Sequence, residues 1–393
     1  MSAMQCRGFS AGSICAGIKY KDRPDLAMLI CDHPAAAAAV FTKNRVTAAP
    51  VRLSRDNIIS GRCQALIVNS GNANCATGEK GMENAKAMAE AAASALQIAP
   101  ELVQVASTGV IGQQLPMDRI LPKIPELAAS LHPQGLDDLA SAIMTTDLVK
   151  KTASRTLKIR GKEITLCGVA KGSGMIQPDM ATMLAFLVTD ADILPERLSA
   201  LLKEAVNKSF NRISVDGDTS TNDTVLLMAS GASGIQPSGE EEEIFAAVLK
   251  DICLDLATQV VQDGEGATKL VKIVVEGAKN REDALKAADT VANSPLVKTA
   301  IFGEDANWGR LAMAVGRSGA DLDPDRITLS FDDALLVKDG VWLGQDAESR
   351  ASAVMKQKTF TILIDLGIGD GKDFMLTCDF SYDYVRINAD YRS

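Results

Sequence analysis

The chain is poor in aromatics, in histidine and in long apolar runs. Aromatic residues make up 4% of the 393 positions, so leucine, valine, isoleucine, alanine and methionine must fill the core. The longest apolar stretch, residues 34–41, is mostly alanine and far too short to cross a bilayer as a helix. The N-terminus lacks the charged start and continuous apolar segment of a secretory signal, which points to a cytoplasmic protein that does not engage a membrane. Only two histidines are present, His33 and His132, each followed by proline. A hydrolase triad or an imidazole metal site therefore has few parts to draw on. The eight cysteines include no C-x-x-C pair, as expected of reduced thiols rather than a disulfide framework or a zinc site. Neither a G-x-x-x-x-G-K-[ST] loop nor a G-x-G-x-x-G turn between strand and helix occurs, so nucleotide-loop and dinucleotide chemistry are unsupported.

What is present is an ordinary globular composition, 47% apolar and 23% charged, in a chain long enough for two or three domains or one large layered unit. The net charge of −9 argues against nucleic acid as a partner. That charge is uneven. Residues 1–181 carry 20 Lys/Arg and 15 Asp/Glu, whereas residues 182–393 carry 21 and 35. This is either a simple domain bias or the mark of two pieces that attract each other.

Short apolar runs predict strands at 26–31, 65–69, 103–107, 164–170, 183–189, 224–229, 271–276, 327–331, 359–366 and 373–380. Helical spacing predicts helices at 79–96, 136–144, 195–208, 240–262, 281–293 and 347–356. Pro195 suits the first turn of its helix, and the acidic run Glu240–Glu243 suits the positive end of its helix dipole. Residues 157–166 alternate on both sides of Gly161-Lys162, the pattern of a β-hairpin. The last thirty-five residues read as strand-rich. The fold class is α/β or α+β, with sheets covered by helices.

With so little histidine, covalent catalysis needs another base. A threonine at a chain N-terminus uses its own α-amino group, whose pKa of roughly 7.7–8.0 lets it accept a proton near neutrality. Internal cleavage would have to create such a terminus. The most informative segment is Lys171-Gly-Ser-Gly-Met-Ile-Gln-Pro-Asp-Met-Ala-Thr182-Met-Leu. It leaves one apolar strand, crosses a Gly-Ser-Gly turn and a proline, and enters another. Read physically, it is a plain strand connection or a ligand-facing loop that begins with a cation.

That segment resembles the self-cleavage segment of the ornithine acetyltransferase family. Other segments resemble the same family in order along the chain: Phe41-Thr-Lys-Asn-Arg-Val-Thr-Ala-Ala-Pro50, Asn69-Ser-Gly-Asn-Ala-Asn74, Ser107-Thr-Gly-Val-Ile-Gly112, the run from Ser209-Phe-Asn-Arg to Thr221-Asn-Asp223, Asp263-Gly-Glu-Gly-Ala-Thr-Lys269, Asn307-Trp-Gly-Arg310, and the ending Tyr384–Ser393. One departure is Asn74-Cys75-Ala76-Thr77-Gly78, where the family pattern has the small residues in the other order.

The resemblance implies a layered helix–sheet sandwich with a smaller C-terminal α/β domain. It implies self-cleavage between Ala181 and Thr182 into an α chain, 1–181, and a β chain, 182–393, strand-rich from roughly 280. Thr182 would be the nucleophile that carries acetyl from N-acetylornithine to glutamate in a ping-pong reaction. Thr108 and Gly109 would form the oxyanion hole. Thr145, Lys171, Thr182, Glu265, Asn388 and Ser393 would bind substrate, with Asn388 and Ser393 supplied by a C-terminal strand and tail. Thr146 stands next to Thr145 as the alternative contact. No metal or cofactor is implied, although some family members accept acetyl-CoA as a co-substrate. The cleaved halves are expected to assemble as α2β2 or larger. Two other readings are an N-terminal-nucleophile amidohydrolase that releases the acyl group to water, and an amino-acid-binding module without catalysis.

Overall fold

A computed structural model describes residues 4–177 and 183–390. The chain divides into two compact units. The first runs through residue 211 and resumes at Asp218–Val260; the second comprises Arg212–Gly217 and the chain from Val261 onward.

The strands in chain order are β1 (Phe9–Ile14), β2 (Leu26–Phe41), β3 (Arg62–Asn69), β4 (Val103–Ser107), β5 (Lys151–Ile159), β6 (Lys162–Lys171), β7 (Leu184–Thr189), β8 (Ile213–Ser214) and β9 (Thr224–Ala229). They continue with β10 (Leu270–Ala278), β11 (Thr328–Phe331), β12 (Ala334–Lys338), β13 (Val341–Trp342), β14 (Thr359–Asp365) and β15 (Gly371–Cys378).

In the first unit the strand order is β4-β3-β2-β9-β7-β6-β5, with β1 also paired to β2. β2 is the common member of two half-sheets. Its first half pairs with β1 and β3, and its second half, Ala36–Phe41, pairs with β9. Between them the β2–β3 register shifts across residues 31–34, where Pro34 has no N–H for the ladder. Residues of alternating parity from the two halves then share one core. Ala27, Leu29 and Cys31 of β2 and Leu66 and Val68 of β3 pack with Val169 of β6, Phe186 and Val188 of β7, and Leu226 of β9. The opposite parity, Leu26, Met28, Ala65 and Ile67, packs against Met88, Ala89 and Ala92 of the helix Gly78–Leu96. On the other half-sheet, helix Glu240–Gln262 lies against β5 and β6. Gln259 bonds both the N–H and the C=O of Thr152, and a Cβ on Gly168 would stand 2.8 Å from the Leu256 side chain. The result is helices outside, sheets inside, in the layered sandwich expected from the sequence.

The second unit has its own sheet, in the order β13-β12-β11-β14-β10-β15-β8. One face is apolar. Val271, Ile273 and Val275 of β10 pack with Ala284, Ala287, Ala288 and Val291 of the helix Arg281–Ala292. The intervening Lys272 is exposed, over the ring of Phe374, the alternation of a one-sided sheet. Asp373, at the start of β15, is bonded by both Arg212 (2.8 and 3.0 Å) and Arg281 (2.9 Å).

The structure corrects the sequence reading at several points. The expected strand 26–31 and the alanine-rich run after it are one strand, because five alanines followed by Val40 and Phe41 pair as readily as a mixed apolar run. The hairpin turn falls on Arg160-Gly161, both at positive φ (50° and 75°), as the tight two-residue turn requires. Tyr382–Asp390 is a helix, not a strand, so Asn388 lies on a helix. The family resemblance implies a strand there, but none of its residues is buried as in a sheet. Ser381 Oγ instead accepts the Asp383 N–H (3.2 Å) and starts the helix as a cap does. β1 escaped notice because its Phe-Ser-Ala-Gly-Ser-Ile sequence has small residues at half-buried positions.

Phe186 is 1% exposed, in the core shared by the two half-sheets. Phe186→Ala is expected to cost about 3–5 kcal/mol, read as a lower urea midpoint with an unchanged slope.

Candidate active site

Four of the residues singled out in the sequence meet in the first unit. β3 and β4 are parallel, so their following loops emerge together. The loop after β3, Ser70–Asn74, is braced by its own amides. Asn69 Nδ2 donates to Asn72 O (2.8 Å), and Asn72 Oδ1 accepts the Asn74 N–H (2.8 Å). Ser107 Oγ donates to Asn69 Oδ1 (2.6 Å), which ties the end of β4 to that loop. Thr108 and Gly109 follow. Gly109 has φ 131°, and a Cβ there would lie 2.3 Å from the Gly71 carbonyl carbon, so no other residue fits. Asn222, just before β9, clamps both loops from a third direction. Its Nδ2 donates to Ala73 O (2.6 Å) and Ser107 O (2.9 Å).

Lys171 ends β6, in antiparallel register with Leu184 at the start of β7. Its Nζ donates to Thr108 Oγ1 (3.2 Å) and to Thr145 Oγ1 (3.1 Å). The Thr108 amide is already used, donating to Asn69 O (3.0 Å). Its hydroxyl, which accepts from Lys171, is therefore the group with a proton to offer. Thr146 points its hydroxyl to Ser173 instead (2.7 Å).

A carboxylate absent from the sequence expectations organises this cluster. Asp147 Oδ1 accepts from Lys151 Nζ (2.6 Å) and from the Gly172 N–H (2.7 Å), and Oδ2 accepts the Thr145 N–H (2.9 Å). The side chains of Asp147 and Lys151 are fully buried. Burial pushes the Asp147 carboxyl up, but Lys171, Lys151 and the Thr145 amide outweigh it and hold it down to about 2. Arg23 supports the same turn. Its Nη2 donates to Met144 O (3.0 Å) and Thr145 O (3.2 Å), and its guanidinium lies 3.7 Å from the Tyr20 ring centroid. Asp147 closes the Met144-Thr-Thr-Asp147 motif that marks Thr145 but drew no role of its own, and no motif marks Arg23; only burial distinguishes them.

In the second unit, Glu265 and Asn388 are paired, Asn388 Nδ2 donating to Glu265 Oε2 (2.9 Å). A Cβ on Gly266 (φ 68°) would stand 2.4 Å from Tyr384 N. That glycine lets the acidic turn approach the start of the helix carrying Asn388, and Ser381 Oγ donates to Gly266 O (2.6 Å). Ala181, Thr182 and Ser393 lie outside the described residues. Among the described residues, no group of three or more His, Cys, Asp or Glu side chains could hold a metal ion, and no helix is long and apolar enough to cross a membrane. His132 is engaged away from the cluster, with Asp138 (2.9 Å).

This cluster supplies a cation between two threonine hydroxyls, an arrangement suited to an anionic substrate group or a developing oxyanion. Known proteins with the same sequence pattern exist. The ArgJ family matches residues 10–393. The arginine biosynthesis bifunctional protein ArgJ of Geobacter sulfurreducens is 51% identical over 393 residues, 99% of this chain and 100% of that protein. The protein of the same name from Desulfotalea psychrophila is 48% identical over the same shares. The crystal structure of the arginine biosynthesis bifunctional protein argJ from Bacillus halodurans superposes with a TM-score of 0.51 at 43% identity, covering 53% of this chain and 100% of that one.

Asp147 titrates lower in the folded chain than the roughly 3.9 of an unfolded aspartate. Its stabilisation, about 2–3 kcal/mol, is thus full above about pH 5 and is lost as pH falls through about 2. Asp147→Asn, which removes the buried ion pair with Lys151, should cost about 3–5 kcal/mol at neutral pH. Urea titrations at descending pH should show its deficit against the parent chain shrinking.

Proposed function

The chain belongs to the ArgJ family, and from that membership we propose that it moves an acetyl group from N-acetylornithine to glutamate through an acetyl ester on Thr182. It is an enzyme, an acyltransferase of arginine biosynthesis. The observation that carries the proposal is the convergence of Lys171 on the hydroxyls of Thr108 and Thr145. It occurs where β6 pairs with Leu184, two residues beyond Thr182.

The sequence of events begins with cleavage between Ala181 and Thr182. It leaves an α chain, 1–181, and a β chain, 182–393, whose opposite charges favour their staying together. The solved Bacillus halodurans chain is about half as long as this one, and residues 182–393 are just over half of it; that length supports a protein that works in two pieces. The new α-amine then serves as the base for the Thr182 hydroxyl. Attack on the acetyl carbonyl forms a tetrahedral oxyanion, stabilised by the Thr108 hydroxyl and the Gly109 N–H. Lys171 orients the Thr108 hydroxyl and adds positive charge. Ornithine leaves, glutamate attacks the acetyl-threonine, and N-acetylglutamate departs.

Thr145, Lys171, Glu265, Asn388 and Ser393 are the substrate contacts in this reading, with Lys171 offered to the α-carboxylate and Glu265 to the α-ammonium or the side-chain amine. The chemistry needs no metal or cofactor. Acetyl-CoA is a second acetyl donor if the chain is bifunctional, and the working particle is α2β2 or larger in the cytoplasm.

Intact mass and N-terminal sequencing of the purified protein should show two pieces, one beginning at Thr182, and Thr182→Ala should remain whole. A parent chain that stays in one piece while active would overturn the mechanism. Thr108→Ala should lower kcat by about 10²–10³, and initial rates against both substrates should give parallel double-reciprocal lines.

A further inference from the structure

The acidic turn at residues 263–269 and the helix Tyr382–Asp390 are distant in sequence, yet each brings one member of the Glu265–Asn388 pair. A buried aspartate holds one against the other. Asp379 follows β15 directly and is 1% exposed. Its Oδ1 accepts the N–H groups of Thr268 (2.8 Å) and Lys269 (2.9 Å), and its Oδ2 accepts the Thr268 hydroxyl (2.6 Å). Hydrogen bonds to an ionised acceptor are the short, strong ones. With both oxygens engaged, the exit of the turn into β10 keeps one orientation relative to the end of β15. Ser381 adds a second tie, to Gly266 O (2.6 Å).

The segment after β15 is fixed in turn by Lys298, in the helix Pro295–Phe302. Lys298 is 1% exposed. Its Nζ donates to Thr377 Oγ1 (2.7 Å) and to Cys378 O, and lies 4.7 Å from the centroid of the Phe380 ring. Burial pushes this ammonium down, and Cys378, Asp379 and Asp216 oppose that through space. Phe380 N–H donates to Lys298 O (3.2 Å). The Phe380 ring stacks on Tyr384, with centroids 4.7 Å apart, and Tyr384 O accepts from Asn388 Nδ2 (3.0 Å). Position is thus passed from Asp379 and Phe380 to the first turn of the C-terminal helix, and from there to the amide that meets Glu265.

We propose that Asp379 is the positioning residue for substrate recognition by Glu265 and Asn388, locking the acidic turn to the C-terminal helix so that Glu265 presents its carboxylate to a ligand amine in one orientation. This deepens the substrate reading above and rests on it. Asp379 acts through Glu265, because its own carboxylate is filled by Thr268 and Lys269. The free amine of N-acetylornithine is at the far end of its side chain from the acetyl group. A contact there is made equally in the ground and transition states, so loosening it raises KM and leaves kcat alone. The tie through Ser381 remains when Asp379 is truncated, so the turn is loosened rather than released.

The test is Asp379→Ala in the full chain, alone and combined with Glu265→Gln, with steady-state rates at saturating glutamate and folding checked by a cooperative thermal transition. KM for N-acetylornithine is expected to rise at least about 10-fold while kcat stays within about threefold, as for a weakened bond to a charged group. Asp379→Asn retains an acceptor for the two amides and should keep KM within about threefold of the parent. In the Glu265→Gln background, Asp379→Ala should add less than about threefold, the non-additivity of residues acting as one unit. A folded Asp379→Ala chain with the parent's KM, or one whose effect persists in full beside Glu265→Gln, overturns the assignment. Should Asp379→Ala not fold, Thr268→Val, which removes the hydroxyl bonded to Oδ2, decides in its place by the same two outcomes. A Glu265→Gln chain with the parent's KM would instead remove the substrate reading itself, so the two failures are distinguishable.

Discussion

A single buried carboxylate holds the candidate site together. Asp147 receives Lys151, the Gly172 amide and the Thr145 amide, so it joins the end of β6, the start of β5 and the turn carrying Thr145. Removing a carboxylate from water is costly unless charge and hydrogen bonds replace the lost hydration. Here two lysines and two N–H groups do so, and the turn can sit in few other ways. Lys171 lowers that acid through space while its Nζ donates to the Thr108 and Thr145 hydroxyls.

The second constraint is the way β2 serves both half-sheets. An uninterrupted ladder along β2 would keep the loops after β3 and β4 far from the start of β9. The irregularity at residues 31–34 lets the halves face one another across one apolar core. Asn222 can then reach Ala73 O and Ser107 O. The cluster thus uses mostly neutral amides as its frame and keeps its charges for the positions of Lys171 and Asp147. Such a frame suits preorganised donors, because amides bonded to one another need not reorganise when charge develops nearby.

The periodic elements were largely legible. β4 and β9 fall at the expected residues, as does helix Glu240–Gln262, because each is a run whose period matches its burial. Lys171, Thr108 and Gly109 were visible through motif resemblance, and the structure places the first two within hydrogen-bonding distance. Asp147, Asn222, Arg23 and Asp379 were not singled out. Each is one polar residue in a loop, and a buried aspartate and a solvated one look alike in sequence. The C-terminal helix was not anticipated: the resemblance implied a strand at Asn388, and Tyr, Val and Ile form strands only where a sheet is there to receive them.

The sequence alone determined that this is a layered α/β chain with too little histidine for imidazole chemistry, and that its Gly-rich segment before Thr182 resembles a self-cleaving family. Those properties are local, written in composition, period and short motifs. Tertiary structure decided which polar groups lose water, and so which hydroxyls Lys171 meets and which acid is held down to about 2. Burial and proximity arise only when strands distant along the chain are brought side by side, so no local stretch of residues can encode them by itself.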